Sequence, residues 1–401
     1  MKRLAVIVSF ILLITGGAWF YFAQTYPATS PLKSILYFVE HIINPQTNYQ
    51  NYIIGFLPYW RLDQIQYLKP NELSELNYFS LSTDTDGHIA KIANGQTDPG
   101  WNGWTKESTK DFITKSQIMG AKVTVTIAAQ DNQLIETILN SNTAQQNLIS
   151  DILKQIKLRQ LNGINIDFEY TGVPDDILRQ EFTFFSKTLA TQIKQQDPNI
   201  KLSLSIMPLS ARQKDLYEFS QLVPIYDHFI GMSYDYYGQS ADIAGPVAPM
   251  NGFKQGAYFF DVITTYADYL KYLPKNKLVM GIPTYGWEWA VVNGKIKTST
   301  TFSAASPNSY SAVISYARAR EDTDLKPSQC HWDTLSQESW CWFADKQSGV
   351  DHQAWIADNR MIQTRFDFAK QQNFAGVALW TLGLDKNYTD IWDGLDSTFG
   401  K

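Results

Sequence analysis

The chain has 401 residues, 44% of them hydrophobic, which suits one large domain with a substantial core better than several small ones. The formal net charge is −5 and no run of Lys or Arg occurs, so no nucleic-acid partner is expected. Aromatic residues make up 14%, with 12 Trp and 22 Tyr, a surplus that suits a large core or stacking on the apolar faces of sugar rings.

Met1-Lys2-Arg3 and then uncharged residues from Leu4 to Ala23 form a basic start and an apolar run about long enough to cross a bilayer. This reads as an export signal over residues 1–23. Ala23 follows Tyr21 and Phe22 rather than small residues, and Trp19 to Phe22 resembles an interfacial belt, which favours an uncleaved anchor over a removed signal peptide. Lys2 and Arg3 would then stay in the cytoplasm and the remainder lie outside, membrane-anchored, or secreted if the segment is cut. Residues 24–50 read as a linker, with Pro27 and Pro31 and a short amphipathic helix carrying Ile35, Leu36, Phe38, Val39, Ile42 and Ile43.

From residue 51 to 398, short apolar segments recur at the spacing of strands separated by helices. They are Tyr52 to Pro58, Tyr78 to Ser82, Val123 to Ala128, an acidic segment within Leu161 to Tyr170, Leu202 to Met207, His228 to Ser233, Leu278 to Pro283 and Gly376 to Trp380. Eight such units predict an α/β fold closed as a (β/α)8 TIM barrel. Asp86-Gly87 signals a small hairpin after the second strand. Leu148, Ile149, Ile152, Leu153 and Ile156 predict a helix before the acidic strand, behind the capping candidates Asn142 and Thr143. A second helix, from about Pro174 to Gln195, would put Ile177, Phe182, Phe185 and Leu189 on one face. The seventh connection is too long for one helix, so residues 287–353, with the turn signal Asn293-Gly294, predict a small α+β insertion that walls one side of a cleft. It holds both cysteines, Cys330 and Cys341, expected as a disulfide in an exported chain.

The chemistry concentrates on the fourth strand. Alternation puts Asn165, Asp167 and Glu169 on one face and Ile164, Ile166 and Phe168 on the other. Two carboxylates so close and inward-facing disfavour joint ionisation, and a raised carboxyl pKa is what a general acid needs. Histidine and cysteine spacings fit no metal site, and no phosphate loop or nucleophile elbow occurs, so neither metal nor organic cofactor is expected.

Several segments together resemble glycoside hydrolase family 18, the chitinase and peptidoglycan N-acetylglucosaminidase family, over most of residues 52 to 385. Asn162-Gly-Ile-Asn-Ile-Asp-Phe-Glu169 is similar to its Asp-Gly-x-Asp-x-Asp-x-Glu signature, Met232-Ser-Tyr-Asp235 to its Met-x-Tyr-Asp, and Gly281-Ile-Pro-Thr-Tyr-Gly286 to its seventh-strand end, while Trp380 matches its eighth-strand tryptophan. Asn162 and Asn165 depart from the usual aspartates. Asn165, as in the bacterial spore-cortex and peptidoglycan hydrolase group, could hydrogen bond Asp167 but exchange no proton with it, which would leave Asp167 more easily ionised. Trp355-Ile-Ala-Asp-Asn-Arg360 and the Phe374 to Gly383 segment also resemble that group.

The resemblance implies a retaining, substrate-assisted hydrolase of β-1,4 bonds following N-acetylglucosamine, in peptidoglycan or chitin. It gives Glu169 the acid and base role, Asp167 the orientation of the acetamido group and Tyr234 a hydrogen bond to its oxygen. Asn165, Met232, Asp235, Tyr285, Trp287 and Trp380 become candidates for substrate binding. A monomer acting on an N-acetylglucosamine polysaccharide is expected; the competing reading is a noncatalytic glycan-binding envelope protein on the same barrel.

Overall fold

The computed structural model describes residues 51–301, 310–325, 330–346 and 348–400. The expected anchor and its linker lie outside them. Among the described residues no helix is long and apolar enough to cross a membrane.

Eight parallel strands close into a barrel: β1 (Tyr52–Pro58), β2 (Glu75–Ser82), β5 (Lys122–Ala129), β6 (Gly163–Phe168), β7 (Lys201–Ile206), β8 (His228–Gly231), β9 (Leu278–Pro283) and β15 (Gly376–Trp380). Neighbours follow chain order, and β15 pairs with both β9 and β1 to close the ring. Asp84 to Gly87 turns back onto β2 through the Thr83 and Ile89 bridge, and beyond it β3 (Ile92–Ala93) and β4 (Gln96–Thr97) form a small hairpin.

The acidic strand is held by the helices on either side of it. The helix Asn142–Arg159 begins at Ser141, whose side chain accepts from the Ala144 amide; the cap is therefore one residue before the expected candidates. The helix Asp176–Gln196 is capped by Asp175, accepting from the Leu178 amide. Phe182, Phe185 and Leu189 are buried as expected, whereas Ile177 is 65% exposed, because the buried stripe runs through its neighbour Leu178 and turns Ile177 off that face. Phe168 stacks on Phe185 with ring centroids 5.9 Å apart. Ile164, Ile166 and Phe168 thus cement the outer layer of the barrel, at about 25 cal/mol per Å² of apolar area removed from water. The opposite face of β6 is left to point into the barrel. Gly163 has no room for a side chain, since a Cβ would stand 2.7 Å from the Lys201 carbonyl of β7.

Between β9 and β15 lies an antiparallel sheet of five strands: β10 (Tyr285–Ala290), β11 (Ser311–Ser315), β12 (Cys330–Asp333), β13 (Glu338–Ala344) and β14 (Asp351–Ile356), in the order β11-β10-β14-β13-β12. With the helix Tyr316–Glu321 it makes a subdomain somewhat wider than residues 287–353, because β10 departs from the barrel immediately after β9. Cys330 and Cys341 are opposed on β12 and β13 and form a disulfide.

Candidate active site

At the carboxyl ends of the strands lies a cavity of about 520 Å³. Asp167 and Glu169 enter it from β6, Met232, Tyr234 and Asp235 from just beyond β8, and Trp380 from the end of β15. Segments far apart in sequence therefore meet where barrel chemistry is usually carried out.

Asp167 is 1% exposed and its Oδ1 has no hydrogen-bond partner among the described residues. Burial, and then the charge of Glu169, push its carboxyl well above the ordinary aspartate value. Asn165 removes one source of repulsion, but desolvation still carries Asp167 above the ordinary value. Glu169 is partly exposed at the cavity floor and accepts from Gln130 Nε2 at 2.7 Å. Burial raises its pKa, the Gln130 hydrogen bond opposes this, and Asp235 raises it further. The two acids together disfavour double ionisation and hold a proton into a higher pH range than free carboxyls do.

Tyr234 lies parallel to Trp380 and offset from it, centroids 6.1 Å apart and planes 5° from parallel. Burial and the nearby Asp167 and Glu169 charges raise its phenol far above the ordinary tyrosine value, so the hydroxyl remains a donor. Asp235 has φ 55°, a left-handed conformation that aspartate tolerates better than most residues, and this turns its carboxylate toward the cavity. Its Oδ1 accepts from Trp287 Nε1 at 2.9 Å.

Two expectations about the site are corrected. Asn165 does not reach Asp167 and does not line the cavity. It is fully buried one layer below, donating to Thr126 Oγ1 at 3.2 Å and Ser205 Oγ at 3.0 Å and accepting from Ser203 Oγ at 3.0 Å, because hydroxyls on both neighbouring strands lie closer than the next carboxyl along its own. Tyr285 and Trp287 stand behind the wall rather than in it. They pack with Trp289 and Trp355 in the core between the insertion sheet and the loop after β8, with Tyr234 and Trp380 packed against that core from the site side and Trp287 donating to Asp235.

Sequence reasoning missed the aromatic rim opposite the acids. Phe79 meets Trp380 edge to face at 4.6 Å, Phe56 at 5.7 Å and Trp60 at 6.3 Å, and Trp60 is 48% exposed. Tyr59 and Trp60 follow the carboxyl end of β1 directly, a position that marks a barrel site even without a motif. Gln130 stands at the same height after β5.

Paired acids of raised pKa, a phenol donor and a tryptophan floor at the end of a barrel define a glycosidase-type site, built to protonate a leaving oxygen while a sugar ring stacks. The model of the glycosyl hydrolases family 18 matches residues 36–385, and the chain belongs to that family. It is 24% identical over 378 residues to a cortical fragment-lytic enzyme of Bacillus cereus, covering 90% of this chain and 71% of that one. It is 26% identical over 258 residues to an uncharacterized glycosylase, YvbX, of Bacillus subtilis (strain 168), covering 63% of this chain and 66% of the other. Its fold is similar to that of an Ostrinia furnacalis Group IV chitinase solved with allosamidin, with a TM-score of 0.73 at 17% identity over 87% of this chain and 98% of that one. The chain is thus a glycoside hydrolase of the kind that acts on glycans containing N-acetylglucosamine.

Proposed function

We propose that the enzyme cleaves the β-1,4 bond following N-acetylglucosamine in peptidoglycan, by a retaining mechanism in which the substrate's own acetamido oxygen attacks the anomeric carbon. The observation that carries this reading is the unpartnered, buried Oδ1 of Asp167 beside Glu169. A buried polar atom left without a partner costs about 1–3 kcal/mol, and an N–H of the acetamido group would satisfy it.

In this mechanism Glu169 protonates the glycosidic oxygen and, once the aglycone has left, takes the proton of the attacking water. Its raised pKa keeps the first proton available to higher pH than an ordinary glutamate would. Asp167 orients the acetamido group and offsets the positive charge of the oxazolinium intermediate, and the Tyr234 hydroxyl donates to the acetamido oxygen as it attacks. Trp380 floors the reacting sugar with Met232 beneath, while Asp235, fixed by Trp287, offers an acceptor to a sugar hydroxyl. The aromatic rim at Trp60 carries the chain onward from the cleft.

Peptidoglycan is favoured over chitin by the cortical fragment-lytic relative and by the N-terminal sequence. Lys2, Arg3 and the apolar run to Ala23 suit an anchored enzyme facing the wall, and the Cys330 to Cys341 disulfide suits an oxidising compartment. The test is incubation of the protein and its Glu169→Gln variant with sacculi and with chitooligosaccharides, reading reducing ends and product masses. Products ending in N-acetylglucosamine from the wild type alone are expected. Cleavage by the variant at the wild-type rate would remove Glu169 from the acid role, and retention of sugar without release by either protein would make this a binding protein.

A further inference from the structure

The interior of the barrel beneath the acids is polar where such interiors are usually filled by branched apolar side chains. A single line of hydrogen bonds crosses three strands there. Thr124 Oγ1 donates to Glu75 Oε1 at 2.7 Å, Asn77 Nδ2 to Thr124 Oγ1 at 2.7 Å, Thr126 Oγ1 to Asn77 Oδ1 at 2.6 Å, and Asn165 Nδ2 to Thr126 Oγ1 at 3.2 Å. Glu75, Asn77, Thr124, Thr126 and Asn165 are all 2% exposed or less.

The direction of this line follows from its end. Both Glu75 oxygens are met by hydroxyls, the second by Tyr52 at 3.0 Å. Burial raises the Glu75 pKa, and the hydrogen bonds from Thr124, Tyr52 and Asn77 with the charge of Lys122 oppose this in favour of the carboxylate, which only accepts. Thr124 must therefore give its one proton to Glu75 and can only accept from the other side. Asn77 must then turn its amide nitrogen to Thr124 and its oxygen to Thr126. Thr126 gives its proton to that oxygen and offers only a lone pair to residue 165. At this point the barrel requires a donor, which asparagine supplies and an ionised aspartate does not.

We propose that Glu75, at the far end of the barrel from the cavity, is a positioning residue for the site: through Thr124, Asn77 and Thr126 it makes position 165 a donor and commits that side chain sideways. With both Nδ2 hydrogens taken by Thr126 and Ser205 and its Oδ1 taken by Ser203, Asn165 has nothing to offer Asp167, whose Oδ1 is left to the substrate. The role of Asp167 rests on the reading given under Proposed function; the directed line beneath it does not.

The test is a double-mutant cycle between Glu75→Gln and Asn165→Asp in the full chain, read by urea unfolding and by kcat and KM on a soluble chitooligosaccharide. In the wild-type background Asn165→Asp sets a carboxylate against the Thr126 lone pair and lowers both the folding equilibrium constant and kcat about tenfold or more, with KM little changed. A glutamine at position 75 can donate as well as accept, so the line can reverse and Thr126 can donate to the carboxylate introduced at position 165. The same Asn165→Asp change then costs about threefold or less in either measure. Equal losses in both backgrounds would overturn the proposal. Should Glu75→Gln fail to fold, Thr126→Val cuts the line at a neutral link and should give the same relief. Coupling in the unfolding data without turnover of any glycan would sustain the directed line and reject the hydrolase reading; coupling in stability with equal losses in kcat would overturn the positioning of Asp167.

Discussion

Glu338 and Asp167 are both hidden from solvent, 0% and 1% exposed, yet their surroundings are opposite. Glu338, on β13, accepts from the amides of Val247 and Ala248 at 2.9 and 2.7 Å and from Arg365 Nη2 at 3.1 Å. Arg365, itself fully buried, also donates to the Ala248, Ser336 and Gln337 carbonyls, tying the loop after β8, the insertion sheet and the helix Asn359–Gln372 together. Asp167 has one oxygen with no protein partner among the described residues and another carboxyl as its neighbour. A carboxylate surrounded by donors fastens parts of the fold, whereas one left short of donors is poised for a ligand that brings them.

The comparison is broken most directly by neutralising each side. Asp167→Asn should lower kcat on glycan substrates by about a hundredfold or more, since it removes the charge opposite the developing oxazolinium. The melting temperature should stay level or rise, because a desolvated acid has been replaced by a neutral amide. Kinetics and a thermal melt on the same preparation check both halves, and a large fall in stability would mean that Asp167 is a fastening residue after all.

Arg365→Leu should do the reverse. It strands Glu338 as a buried, uncompensated carboxylate and frees three carbonyls, which costs about 3–5 kcal/mol of stability by urea unfolding. Turnover per folded molecule should fall much less, because Arg365 touches no cavity residue. A variant as stable as wild type would show that solvent or a neighbouring group already compensates Glu338.

These contrasts also explain what could be read from the sequence. β1, β9 and β15 lie at their expected bounds because their apolar runs end sharply at Pro, Gly or aromatic residues. β2 begins earlier than expected, at Glu75, since Glu75 and Asn77 look like loop residues until a polar barrel interior is known to receive them. Asp167, Glu169 and Tyr234 were legible because alternation on one strand and a short motif fix which way they point. The same alternation correctly turned Asn165 inward, but its partners lie on β5 and β7, and no local pattern reveals a hydrogen bond between strands 38 to 40 residues apart. The family resemblance makes Tyr285 and Trp287 candidates for the cleft. In fact β10 runs away from the barrel and turns them under Asp235. Trp60 went unnoticed since one tryptophan after a strand has no signature until the opposite wall, with Phe79 and Trp380, closes around it.

The smallest effect tests the site without substrate. Asp167 has an ordinary value of 3.8 and a folded value well above it, so the folded state binds its proton more tightly than the unfolded chain. That contribution to stability is fully present below about pH 3.8 and is lost as pH rises through the folded value, the reverse of a carboxylate held by a cation. Other buried acids of raised pKa, Glu75, Asp215 and Glu338 among them, slope the same way, so the wild-type curve alone decides nothing. The difference between wild type and Asp167→Asn isolates the pair. Above about pH 4 the variant should gain on the wild type at no more than about 1.4 kcal/mol per pH unit, because one proton is involved, and the gain should level off once the pair is fully ionised. Removing the Asp167 charge also lets Glu169 ionise more easily in the folded variant, which adds to the difference and carries it to higher pH than a lone buried acid would. A variant that loses stability relative to wild type as pH rises would mean that Asp167 is held ionised by a donor set.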